Sequence, residues 1–168
     1  MIIIGIDPGT AKTGYAVMEY PKNYNKSSKR SGNLIECACI DTPSEATMHD
    51  RLSQLYDELK NISSRTKPKM MVIEKLFFNT NIKTAMTVGQ ARGVSLLVAS
   101  QHAMEVVEYT ALQAKQTLTG YGRASKKEMQ EAVREYMRLE KVIKPDDAND
   151  ALAMILCHVE KTRIPEQN

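Results

Sequence analysis

The sequence predicts an α/β protein, a five-stranded mixed sheet of three antiparallel strands followed by parallel strand–helix units, with helices on both faces. Three observations predict it. Short apolar runs separated by turn residues fill the first 40 positions, later apolar runs alternate with long helical patterns, and no repeat or linker divides the 168 residues. One domain over 1–168 is expected, since a chain of this length buries roughly 70% of its unfolded surface.

Residues 1–7 are a continuous apolar run stopped by Asp7-Pro8-Gly9, so a buried central strand is expected with Asp7 at its carboxyl end. A second strand follows at about 15–20, a Lys/Asn/Ser-rich loop at 21–32, and a third strand at 34–40. Thr47 with Asp50 resembles a capping box, and Met48, Leu52, Leu55, Tyr56, Leu59 and Ile62 recur at helical spacing, so a helix fills roughly 47–63. Residues 70–73 form another short buried strand, which Glu74 ends much as Asp7 ends the first.

Residues 83–101 read as a helix that becomes apolar all round toward 94–99, and it is expected to be the most buried one. A strand at 104–109 leads into a short helix closed by Gly120 and Gly122. Ser125 with Glu128 forms a second capping-box pattern, followed by Met129, Ala132, Val133, Tyr136 and Met137 on one helical face. Pro145-Asp146 opens the last helix, with Asp146 read as its cap and Ala148, Ala151, Leu152, Ile155, Leu156 and Val159 as its core stripe.

The net charge of +3 conceals an uneven field: residues 60–127 hold eleven basic and three acidic side chains, +8, which leaves −5 for the rest. A basic middle suits a polyanion such as nucleic acid, although a solvated surface would carry the same charges. No stretch reaches the ~20 apolar residues of a membrane helix. The chain opens on Met1-Ile2-Ile3-Ile4-Gly5 without a basic leader, so a soluble, cytoplasmic protein with no membrane partner is expected. Cys37, Cys39 and Cys157 are expected as buried thiols in a reducing compartment, and the scattered histidines lack the paired spacing of a zinc site.

The sharpest signal is a set of acids. Asp7 and Glu74 each end a buried strand, so parallel neighbours would bring the two carboxylates out side by side; Asp147 and Asp150 lie one turn apart at a helix start. Four converging carboxylates repel and cost several kcal/mol to desolvate, an objection that Mg²⁺ removes because it favours carboxylate oxygens. Singly, each acid also fits a plain role as turn former, lysine partner or helix cap. Together they favour metal binding. Lys126 and Lys127 stand in the first turn of a predicted helix, where the macrodipole disfavours cations, which makes sense if phosphate is the partner; two solvated lysines would look the same. Phe77-Phe78 follows Glu74 in a loop, either as a wedge against unstacked bases or as rings folded into the core.

Several blocks carry a family resemblance. They are Ile4-Gly5-Ile6-Asp7-Pro8-Gly9-Thr10 with Gly14, Val72-Ile73-Glu74-Lys75-Leu76-Phe77, Gly89-Gln90-Ala91-Arg92-Gly93, Lys115-Gln116, and Pro145-Asp146-Asp147-Ala148-Asn149-Asp150-Ala151-Leu152-Ala153. In order and content these resemble the RuvC-type Holliday junction resolvases of the RNase H-like superfamily, from residue 2 to about 158.

The resemblance implies an RNase H-like sheet, with Asp7, Glu74, Asp147 and Asp150 as catalytic metal ligands. It further implies that Lys115 and Lys126 hold backbone phosphate and that Phe77 contacts bases at the crossover; Lys127 is a second candidate beside Lys126. The implied reaction is resolution of four-way junction DNA by paired nicks in recombination and repair, with two Mg²⁺ ions per site and Mn²⁺ able to substitute, leaving 5′-phosphate and 3′-hydroxyl ends. Two symmetric incisions by a one-site domain imply a homodimer, for which Gly89 and Gly93 allow close helix approach, as they equally would for packing on the sheet. A branch-migration motor is an implied partner. A nuclease of structured RNA and a non-enzymatic junction-binding module remain the competing readings.

Overall fold

The computed structural model describes residues 1–21, 32–75 and 82–162, with backbone alone at 82–84. Five strands form one sheet: β1 (Ile2–Asp7), β2 (Lys12–Glu19), β3 (Asn33–Asp41), β4 (Met70–Glu74) and β5 (Glu105–Tyr109), in the order β3-β2-β1-β4-β5. β1 pairs antiparallel with β2 and β2 with β3, whereas β1–β4 and β4–β5 are parallel. This is the mixed sheet the sequence predicts. β2 begins earlier than expected, at Lys12, because the hairpin with β3 is paired down to Lys12 opposite Asp41.

The helices are α1 (Met48–Thr66), α2 (Ile82–Gln101), α3 (Ala111–Thr119), α4 (Lys126–Met137) and α5 (Asp146–Thr162). Local chemistry fixes their ends. The Thr47 side chain accepts from the Asp50 amide, and full capping boxes close Thr110 with Gln113 and Ser125 with Glu128. Gly120 ends α3 in the left-handed conformation at φ 75°.

Strand alternation splits the core in two. Ile4, Ile6, Met71 and Ile73 pack with Leu55, Leu59, Ile62 of α1 and Ala91, Val98, Ala99 of α2. Ile3, Met70 and Val72 point to the other face, where they meet α5 with α3 and α4 behind it. The central helix is α5, buried at every position from Ala148 to Ala153 apart from a half-buried Asp150, and again from Met154 to Val159. The expectation that the helix over 83–101 is the most buried is therefore corrected. α2 keeps Met86 at 64% and Leu97 at 50% exposure, because only one of its faces meets the sheet and α1. α5 lies between two layers and needs apolar residues all round.

Two further expectations change. Cys157 is buried, but Cys37 and Cys39 are only half-buried, since β3 is an edge strand. Asp146 does not act as the cap of the last helix; it is the first helical residue, and its carboxylate is taken up by side chains from elsewhere. None of the described helices is long and apolar enough to cross a membrane.

Candidate active site

The parallel register of β1 and β4 aligns Ile6 with Ile73, so Asp7 and Glu74 come next on adjacent strand ends. By alternation each shares the face of its strand that looks toward α5. Asp7 follows Ile3 and Gly5, and Glu74 follows Met70 and Val72.

Two glycines let α5 approach that face. A Cβ on Gly5 would stand 2.2 Å from the Ala151 carbonyl oxygen, and one on Gly14 would stand 1.9 Å from that of Asp147. Backbone meets backbone there, and the first turns of α5 are pinned against β1 and β2. Asp150 thereby joins Asp7 and Glu74 in the lining of one cleft of about 280 Å³. Asp147 is outside that lining but close enough for its charge to act on Asp7 and on Cys39 of β3. Lys115 of α3 and Lys126 of α4 complete the polar wall, over an apolar floor that includes Ala114, Met129 and Met154.

The electrostatics follow from this crowding. Burial, then the negative charges of Glu74 and Asp150, a hydrogen bond to Glu74 and the charge of Asp147 push the Asp7 carboxyl from 3.8 up to about 8. Glu74 is also raised, by burial and by Asp150, against the opposing effect of the hydrogen bond from Asp7. Burial raises Asp150 while the Lys126 ammonium pulls it down. Arg92 of α2 braces the Glu74 strand end: its Nε donates to the Glu74 carbonyl at 3.4 Å and its guanidinium pairs with Glu108 of β5.

The two candidate lysines diverge. Lys126 lines the acidic cleft, whereas Lys127, one residue on, lines a separate groove between α3 and α4 with Leu118, Tyr121 and Tyr136. Phe77 lies outside the described residues, as does the choice between a wedge and a core ring. Gly89 and Gly93 face open space, with nothing within 4 Å of an added Cβ, so packing of α2 on the sheet does not require them. The sequence reading missed Lys144 and Gln130, which hold Asp146, and Arg92 outside its motif. Two glycines, Gly5 and Gly14, were the available signal for the close helix.

Sheet order, helices on both faces and an acidic cleft at adjacent strand ends define the class, an α/β fold of the nuclease type. Residues 3–158 match the family described as crossover junction endodeoxyribonuclease RuvC. The chain belongs to that family. It is 45% identical over 166 residues to the crossover junction endodeoxyribonuclease RuvC of Alkaliphilus oremlandii, covering 99% of this chain and 97% of the relative. With the same-named protein of Pelotomaculum thermopropionicum it is 46% identical over 158 residues, covering 94% and 92%. Among solved structures, RuvC of Thermus thermophilus in complex with a Holliday junction substrate matches with a TM-score of 0.87 at 28% identity, over 97% of this chain and 95% of that one.

Proposed function

We propose that this chain is a Mg²⁺-dependent endodeoxyribonuclease that resolves Holliday junctions by paired symmetric nicks in recombination and repair, leaving 5′-phosphate and 3′-hydroxyl ends. The carrying observation is that Asp7, Glu74 and Asp150, distant along the chain, line one cleft together with Lys115 and Lys126. The solved complex of the Thermus relative with a Holliday junction supports four-way DNA as the substrate.

The donor set fits magnesium. It consists of carboxylate oxygens alone, and burial together with the charges of Glu74, Asp150 and Asp147 raises the Asp7 carboxyl, a cost that a divalent cation relieves. Among the described residues no three His, Cys, Asp or Glu side chains are already grouped as ligands, and Asp7 and Glu74 share a hydrogen bond. Asp7, Glu74, Asp147 and Asp150 would hold two Mg²⁺ ions, with Mn²⁺ able to substitute. When bound, the ions supply an activated water and stabilise the departing 3′ oxygen.

The remaining work falls to the protein. Lys115 and Lys126 bring ammonium groups against the scissile phosphate, neutralising charge that develops on its oxygens. The apolar floor lowers the local dielectric and so strengthens those contacts. Phe77 contacts bases at the crossover, and Lys127, outside the cleft, is assigned to DNA backbone beyond the cut.

One site per chain and two cuts per junction require a homodimer with twofold symmetry. Met86, Gly89, Gly93 and Leu97 share one face of α2, with both large side chains exposed and both glycines open, and we assign this face to the dimer. A branch-migration motor is the proposed further partner, and the cytoplasm the proposed location, within one nuclease domain over 1–168.

The test is a synthetic four-way DNA junction incubated with and without Mg²⁺, both nicks being mapped, beside an RNA duplex of equal length. Symmetric Mg²⁺-dependent nicks in the DNA junction are expected. Preferential cutting of the RNA, or nicking that ignores metal, would overturn the reading.

A further inference from the structure

Asp146, the first residue of α5, gathers three donors on one carboxylate. Its Oδ1 accepts from Gln130 Nε2 at 2.9 Å and from Lys144 Nζ at 2.6 Å, and its Oδ2 stands 3.1 Å from Lys126 Nζ. The partners come from different places: Gln130 is buried within α4, Lys126 is the first residue of α4, and Lys144 precedes α5. The carboxylate thus ties the starts of two helices together beside the cleft. Lys126 lines that cleft and Asp146 does not.

A lysine is a point charge on a flexible four-carbon stem, and gripping a phosphate costs it rotamer freedom. A lysine already docked at the rim has lost that freedom before the substrate arrives. An acid partner often cancels the cation it holds. Here one carboxylate serves two ammonium groups, so Asp146, Lys126 and Lys144 together keep a net charge of +1. Gln130 fixes the carboxylate from inside the fold, which makes it a defined anchor.

We propose that Asp146 is the positioning residue for Lys126, with Gln130 and Lys144 holding its carboxylate; the proposal rests on Lys126 being a phosphate-holding group of the cleft. When DNA enters, the Lys126 ammonium passes from Asp146 to a phosphate oxygen. Lys144 keeps Asp146 paired, so no buried or half-buried charge is stranded by the exchange.

A double-mutant cycle on the full chain tests this. Asp146→Asn keeps a carbonyl oxygen for Gln130 but loses the charge that docks Lys126. The readouts are single-turnover cleavage of a synthetic four-way DNA junction in Mg²⁺, the affinity for the same junction in EDTA, and the melting temperature. Asp146→Asn is expected to slow cleavage roughly 10-fold, the scale of one oriented contact. Its metal-free junction affinity stays within about threefold of the parent. In a Lys126→Ala background the same substitution adds nothing.

Equal slowing in both backgrounds would overturn the proposal, since Asp146 would then act through its neighbour Asp147, and so would parental cleavage by Asp146→Asn. Parental cleavage by Lys126→Ala would instead overturn the reading of Lys126 itself. Lys144→Gln, at an exposed position that spares the fold, gives an independent check. Removing the excess charge should flatten the salt dependence of junction binding by about one unit of slope, and an unchanged slope would also overturn the proposal.

Discussion

Asp7 shows what the cleft costs the protein without a cation. Its carboxyl, ordinarily at 3.8, is held near 8 by burial and by the acids around it. Below pH 3.8 folded and unfolded chains both carry the proton; between 3.8 and about 8 the unfolded chain releases it while the folded chain retains it. Asp7 therefore contributes a loss of stability to the metal-free protein as pH rises through that window, by the linkage of proton uptake to folding. Asp7→Asn removes the ionisation, and its metal-free melting temperature at pH 8 should exceed the parent's by at least ~3 °C while Mg²⁺-dependent cleavage is lost. A parent whose EDTA-treated melting temperature climbs from pH 4 to pH 8 would contradict this account. Asp150→Asn belongs to the same scale: junction binding in EDTA is expected to persist and cleavage to drop by more than about 100-fold, read by gel shift beside a cutting assay. Asp7 and Glu74 were legible in the sequence because a carboxylate closing an apolar run is chemically conspicuous. Asp146 was misread because two of its three partners, Gln130 and Lys126, lie 16 and 20 residues away, and no local pattern names them.

At the scale of elements, the site depends on α5 lying flush against the sheet. Gly5 and Gly14 permit this, since a Cβ at either would meet a helix carbonyl oxygen at 2.2 or 1.9 Å. Backbone cannot yield as a side-chain tip can, so Gly5→Ala must lift α5. The expected cost is about 2–3 kcal/mol, measured as a fall in the urea midpoint. Cleavage should fall more than stability explains, because Asp150 moves away from Asp7 and Glu74. A Gly5→Ala protein with the parent's urea midpoint would show that the helix is not held there. The strands, their order along the chain and the starts of α1 and α4 were readable from turn residues, capping boxes and periodicity. The depth of α5 was not: Asn149, Cys157 and His158 interrupt its apolar pattern yet are all buried, because helices pack over it from the far side. The apolar stretch of α2 pointed the other way, since exposed apolar residues such as Met86 and Leu97 look the same in sequence as residues facing a core.

At the scale of the whole molecule, the proposed twofold pair would make α2 the link between one cleft and two cuts. Its Arg92 contacts the Glu74 strand end, while Met86, Gly89, Gly93 and Leu97 lie on one face of the helix, with Met86 and Leu97 exposed. In a twofold pair formed through that face, each α2 would carry one Glu74 strand end, and the symmetry of the junction would be met by the symmetry of the protein. Leu97→Glu places a charge on that face, where burial against another copy would strand it. Sedimentation should then report a monomer at concentrations where the parent is a dimer. Leu97 is half-exposed in the single chain, so the melting temperature should fall by no more than about 2–4 °C, the shift of about 1 kcal/mol at this size. The monomer retains an intact cleft, so single nicks in a cruciform plasmid should persist while paired nicks within one binding event disappear. A Leu97→Glu protein that remains dimeric and still linearises the plasmid would move the dimer interface to another surface.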